Sequence, residues 1–181
     1  MKISSLIDVI EGELINSPFV SFIYNIKINA KKVNEGDLYI AKNDNDLSLA
    51  IQNGAFAIIY DFNTPILDKE IAWIKVKSYK DALIKIFRYK LSNIDLKAYT
   101  CDQITYELLN LYKNKSFKFI SSTLENSIKI MENIKDNDIV FCTDESLLNK
   151  IYPKNEIFNK KINEKEIAKE ILDADHNLDY I

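Results

Sequence analysis

The feature that most constrains this 181-residue chain is a regular alternation: short β-branched or aromatic runs are separated by segments whose apolar residues recur every three to four positions. Ala55-Phe56-Ala57-Ile58-Ile59-Tyr60 is a continuous apolar run of the kind a strand shows when a parallel sheet buries both its faces. Ala72-Trp73-Ile74-Lys75-Val76 reads as a second strand, and Ser78 caps a helix in which Ala82, Leu83, Ile86 and Phe87 keep a 3.6-residue face up to Leu91. The pattern then repeats, predicting strands over 96–100, 117–120 and 138–142 and helices over 102–112, 123–134 and 144–151. Such alternation predicts an α/β fold, a parallel sheet with helices on its faces.

Upstream, Ser4 is placed to cap a short helix with Leu6, Ile7 and Ile10 on one face and Gly12 at its end. The stretch 19–28 reads as a strand, Asn34-Glu35-Gly36-Asp37 as a turn, and 37–41 as the next strand. A helix over 47–53 closes at Gly54. After Pro153 the chain turns polar, with Lys160-Lys161, a last amphipathic helix near 163–172 and a polar tail.

Composition narrows the function classes. Lys+Arg 24 against Asp+Glu 27 leaves a formal charge of -3, so no global basic field collects nucleic acid. The chain has one arginine, Arg88, and three glycines, Gly12, Gly36 and Gly54, whereas phosphate sites rely on glycine-rich loops or guanidinium forks. Asp8, Glu11 and Glu13 interrupt the first apolar stretch, so no secretory h-region is expected, and no run reaches the ~18 apolar residues of a membrane span. Two cysteines make no disulfide framework, and the expected home is the cytoplasm.

Four blocks in order carry a resemblance. Gly12-Glu13-Leu14-Ile15 follows the opening helix; Val33-Asn34-Glu35-Gly36-Asp37-Leu38-Tyr39-Ile40-Ala41 matches a Val-x-Pro-Gly-Asp-Leu-Phe-Val-Ala pattern. Ala50-Ile51-Gln52-Asn53-Gly54-Ala55-Phe56-Ala57 matches Ala-x-x-x-Gly-Ala-x-Ala, and Ile74-Lys75-Val76 with Asp81-Ala82-Leu83 through Arg88 matches a strand, an Ala-Leu helix and an arginine near its end. On these residues the chain resembles the Mur ligases, which extend the peptide of UDP-N-acetylmuramic acid, and most of all their D-alanyl-D-alanine-adding branch. The resemblance implies a Mur-ligase-like N-terminal α/β domain over 1–92. A reduced, Rossmann-like α/β segment over 93–181 is then expected to resemble the start of the ligases' central domain.

The departures are as informative. The family's Asp-Ser-Arg, which helps hold the UDP-sugar, falls on Asn29-Ala30-Lys31, and the loop after Ala41 shortens to Lys42-Asn43-Asp44-Asn45-Asp46. Where the family carries its ATP-binding Thr-Gly-(Ser/Thr)-Asn-Gly-Lys-Thr-Thr loop, this chain has Thr100-Cys101-Asp102-Gln103-Ile104-Thr105, and no glycine follows residue 54. A phosphate loop needs glycines so that successive N–H groups point at the phosphates, plus a lysine for the β/γ charge. The reading is therefore a non-catalytic relative, with no catalytic residue, metal or cofactor. It binds UDP-N-acetylmuramoyl-peptide or regulates precursor synthesis, and any ligand site centres on Asn29, Lys31, Lys42 and Asn43. The alternative is an interaction module that kept the fold and docks on a cell-wall enzyme.

Other constellations have plain structural readings. Cys101 and Cys142 each follow a predicted strand, at the carboxyl edge where α/β sheets bind ligands, and an unrelated enzyme would need them to converge with Asp102 and Asp144 around a pocket. Small semi-buried residues are the alternative. His176 with Asp173 and Asp175 is read as solvated tail, and Asp44 and Asp46 as loop or capping residues.

Overall fold

The computed structural model describes residues 1–112 and 114–158. The amphipathic helix expected over 163–172, Lys160-Lys161 and the His176 group lie outside the described residues.

Helix α1 (Ile3–Ile10) buries Ile3, Leu6 and Ile10, but no side chain caps its start at Lys2. Its left-handed C-terminal residue is Glu11, with φ 54°, one position before the expected glycine. Gly12 serves another need: a Cβ there would stand 2.8 Å from Cγ2 of Ile74, so the chain passes close beneath a strand. The expected strand over 19–28 shrinks to β2 (Ile26–Lys27), preceded by a single bridge between Phe22 and Lys2. Of the residues before it, Ile23 enters the core, whereas Phe19 (90% exposed), Phe22 and Tyr24 face water.

Strands β3 (Leu38–Ile40), β4 (Ala57–Tyr60) and β5 (Ala72–Lys75) form the centre of the first sheet. Its order is β1-β5-β4-β3-β2, parallel throughout except for β1 (Glu13–Leu14), which runs antiparallel on β5. Period-two alternation sorts the side chains: Leu38, Ile40, Ala57, Ile59, Ala72 and Ile74 enter one core. Tyr39, Ile58, Tyr60 and Trp73 enter the core on the opposite face, where helix α2 (Leu47–Gln52) contributes Leu47 and Ala50.

Helix α3 (Tyr79–Ser92) follows, and the Ser78 hydroxyl accepts a hydrogen bond from Asp81 N. The second sheet is all parallel, in the order β7-β8-β6-β9, with β6 (Lys97–Thr100), β7 (Phe117–Ile120), β8 (Ile139–Cys142) and β9 (Glu156–Ile157). Helices α4 (Gln103–Leu111), α5 (Leu124–Glu132) and α6 (Glu145–Ile151) connect them. The alternating α/β fold with parallel sheets is the one expected. Strands β1 and β9 went unforeseen, being two-residue exposed edges without a hydrophobic pattern.

The two sheets share a core. Residues of α1, α3, α5 and α6 join the inner faces of both sheets in one apolar cluster, and α3 packs on α1, α5 and α6. Leu83, Ile86 and Phe87 of α3 are essentially inaccessible to water.

Between β2 and β3, Asp37 is fully buried. Its Oδ1 accepts from Asn25 N (3.3 Å) and Asn25 Nδ2 (2.9 Å), and its Oδ2 accepts from Asn34 N (3.0 Å). Beside it, Gly36 N donates to the Gly54 carbonyl at 3.0 Å, and both glycines have φ near +90°, at 89° and 92°. A Cβ on Gly54 would meet the Glu35 backbone, 2.8 Å from its Cα.

Two outcomes are expected in urea unfolding. Asp37→Ala strands backbone donors of the turn and is expected to cost about 1–3 kcal/mol per unpaired group. Gly54→Ala is expected to cost on the order of 1–3 kcal/mol, since both its φ and the Glu35 backbone oppose a side chain; an unchanged midpoint in either variant would show that the turn is not held in this way.

Candidate functional site

Sequence alone pointed to Asn29, Lys31, Lys42 and Asn43, and the fold separates them. Asn29 ends the extended segment after β2 and caps the 3-10 turn Ala30–Lys32, its Oδ1 accepting from Lys31 N at 3.0 Å. It lines a cleft of about 640 Å³ between this segment and helix α5, together with Lys27, Lys32, Glu125, Lys129 and Glu132. Lys31 and Asn43 are exposed and do not line it; Asn43 Oδ1 accepts from Asn45 N at 3.1 Å within its own loop.

Lys42 reaches the cleft through a partner. Its ammonium stands 3.2 Å from Glu125 Oε1 and 6.0 Å from the centroid of the Tyr79 ring, and the Tyr79 hydroxyl donates to the same carboxylate at 3.3 Å. Burial alone would raise the Glu125 pKa, but its own backbone N–H, Lys42 and Tyr79 together hold it below the ordinary value. Burial chiefly raises the Tyr79 pKa. At the other end of the cleft, Glu132 Oε1 accepts from Ile26 N at 3.2 Å. Burial lowers the pKa of the nearby Lys90, with Glu132 acting against that shift and Lys27 adding to it.

Ile26, Ile28 and Ile128 share the lining of the cleft with its charged and amide side chains, and both of its carboxylates are already engaged by the protein. Lys27, Lys32 and Lys129 remain on its wall, which suits an anionic ligand contacted by point charges rather than by a bidentate fork. Lys129, Glu125 and Glu132 escaped the sequence reading. Helix α5 belongs to the second sheet, and nothing local in its sequence announces that it faces the first.

The position of a phosphate loop is also defined. Helix α4 begins after β6, and Asp102 caps it: Oδ1 accepts from Thr105 N at 2.9 Å and Oδ2 from the Thr105 hydroxyl at 2.7 Å. The helix N-terminus, which in a phosphate loop attracts the ligand's charge, here holds a carboxylate of its own. Asp144 does the same for α6 through Leu147 N at 2.9 Å, so both carboxylates at this sheet edge are turned toward their own helices.

The two cysteines lie at adjacent strand ends, where Cys101 N donates to the Cys142 carbonyl at 3.0 Å. Both are buried and unbridged. Burial pushes the Cys101 thiol up to about 11, with the Asp102 charge adding to it, and raises the Cys142 thiol as well, so both are protonated and weakly nucleophilic near neutrality. Among the described residues no group of three or more His, Cys, Asp or Glu is placed to hold a metal ion, and no helix is long and apolar enough to cross a membrane.

No protein-family model and no curated protein matches the chain by sequence. Solved structures do match. The MurF ligase of Thermotoga maritima, determined in complex with ADP, aligns with TM-score 0.55 and 26% identity over 71% of this chain and 35% of its own. The UDP-N-acetylmuramoylalanyl-D-glutamyl-2,6-diaminopimelate--D-alanyl-D-alanyl ligase of Acinetobacter baumannii aligns with TM-score 0.62 and 17% identity over 87% of this chain and 41% of its own. A further structure of MurF from Acinetobacter baumannii gives 0.58 and 19% over 78% and 35%. The chain thus spans well under half the length of these ligases. Its order of elements, its parallel sheets and these likenesses agree: this is a Mur-ligase-like α/β chain, similar to MurF ligases over most of its length.

Proposed function

We propose that this chain is a non-catalytic Mur-ligase-like protein that binds a peptidoglycan precursor of the UDP-N-acetylmuramoyl-peptide class, or regulates its synthesis, in the cytoplasm. The observation that carries the proposal is the cleft beside Asn29, with lysines on its wall and its own carboxylates engaged. A nucleotide diphosphate offers the charge that Lys27, Lys32 and Lys129 lack a partner for in the cleft, and Asn29 stands at the position where the family's Asp-Ser-Arg begins.

The absence of ligation chemistry is a separate part of the proposal. It is supported by the Asp102 cap on α4 and by the lack of glycine from residue 55 onward. Without backbone N–H groups free to curve around a triphosphate, ATP has no cradle at this edge.

A second reading, docking on a cell-wall enzyme, draws support from the exposed aromatic residues Phe19, Phe22 and Tyr24 ahead of β2.

Titration of the purified chain with UDP-N-acetylmuramoyl-tripeptide, UDP and Mg-ATP, followed by calorimetry and thermal shift, tests both parts. The UDP compounds are expected to raise the melting temperature, equivalent to about 2.7 kcal/mol at a hundredfold excess over Kd, and Mg-ATP to leave it unchanged. Lys32→Ala and Lys27→Ala are expected to weaken binding roughly tenfold each, as loss of a charge-assisted hydrogen bond does. Silence from the UDP compounds would remove the precursor reading and favour docking, whereas ATP hydrolysis abolished by Asp102→Ala would remove the non-catalytic one.

A further inference from the structure

A second concavity, of about 460 Å³, lies on the first sheet, between the end of α2, the segment ahead of β5 and the segment ahead of β2. Val20 and Phe56 give it an apolar lining, and Phe19 stands on its wall with the ring almost wholly in water. The other feature of the groove is its charge. Glu35, Asp68 and Glu70 line it, and among the described residues no lysine or arginine does. None of the three carboxylates belongs to an ion pair of the described residues; Lys69, between two of them in sequence, does not line the groove.

The backbone that carries these groups is fixed. Phe19 N donates to the Glu70 carbonyl at 3.2 Å, and Asn16 Nδ2 donates to the carbonyls of Lys69 (3.0 Å) and Ile71 (2.7 Å). The buried Trp73 donates its indole N–H to the Asp68 carbonyl at 2.6 Å, and Asp68 Oδ1 accepts from Glu70 N at 2.8 Å. Next to Glu35, Tyr24 N donates to the Gly36 carbonyl at 2.9 Å, and its ring lies where a Cβ on Gly36 would stand, while remaining 71% exposed. Aromatic rings held on an ordered backbone, with their faces in water, lose little entropy when a partner covers them.

We propose that this groove docks a segment of a partner protein in which lysine or arginine stands beside bulky apolar side chains. The apolar side chains would cover Val20, Phe56 and the Phe19 ring. The cation would meet Glu35, Asp68 or Glu70, with aromatic faces close by for cation–π contact. Charge selects this occupant over others. A nucleic acid or an anionic lipid surface brings phosphates against three carboxylates, and a second copy docking by the same face brings the same carboxylates against them. The inference rests on the docking reading only for its class of partner, and it is independent of whether the cleft beside Asn29 holds a precursor.

Selection of a random-peptide library displayed on phage against the full-length chain, followed by calorimetric titration of the enriched peptides, tests this. Enriched peptides are expected to carry lysine or arginine next to leucine, phenylalanine or tryptophan, and to bind more weakly as salt is raised. Phe19→Ser and Glu70→Lys are each expected to weaken binding roughly tenfold, as loss of an interface anchor does. Both residues are exposed, so the melting temperature is expected to stay unchanged; Glu107→Lys, an equal charge change on α4, is expected to leave binding intact. Peptides without basic residues would overturn the proposal. Basic peptides bound equally by both groove variants would overturn it too, leaving the docking reading with a different face. A library that yields no binder would remove the proposal and the docking reading together.

Discussion

Helix α3 is the element on which the rest of the molecule depends. Its face of Leu83, Ile86 and Phe87 is shielded from water by α1 on the side of the first sheet and by α5 and α6 on the side of the second. Burial of three large side chains contributes roughly 1.5–3 kcal/mol each before the cost of ordering the chain. A helix shared in this way makes the two sheets parts of one core. It also sets where α5 lies, and α5 forms one wall of the cleft.

The cleft is built by pairing across that junction. Lys42 follows β3 and Glu125 opens α5, and their contact with Tyr79 of α3 joins three elements through one carboxylate. Glu132, one helix length further on, takes the free backbone N–H of β2 and so covers a sheet edge that would otherwise be open to another chain. Both acidic groups are thus committed to structure. The lysines between them set the electrostatic character of the wall.

The carboxyl edge of the second sheet tells the opposite story. Strand, turn and helix are all retained where nucleotide-binding folds hold phosphate, but Asp102 satisfies the N-terminus of α4 from within. A helix dipole stabilised by its own aspartate gains the interaction a phosphate would supply and repels a second anion. Cys101 beside it is a buried, protonated thiol. At this edge both carboxylates cap their own helices, and the cleft lined by Asn29 lies at the junction itself.

Much of this was legible in the chain. The strands around Ile58, Trp73, Phe119 and Phe141 and the helices between them follow from residue periodicity, because burial on two faces or one stripe leaves a mark at every second or every third to fourth position. Gly54 also announced its local role at the end of α2, since a positive φ is decided within a few residues. Short edge strands such as β1 and β9 left no mark, and the aromatic stretch before β2 misled, because β propensity becomes a strand only where a neighbour offers hydrogen bonds. The sequence by itself thus determined the alternating α/β order, the parallel pairing and the lack of glycine beyond residue 54, all matters of composition and short-range period. Only the tertiary structure decided that Lys42 meets Glu125, that Asn29 rather than Lys31 faces the cleft, and that α5 closes it, because those contacts join residues up to 106 positions apart and depend on how α3 packs.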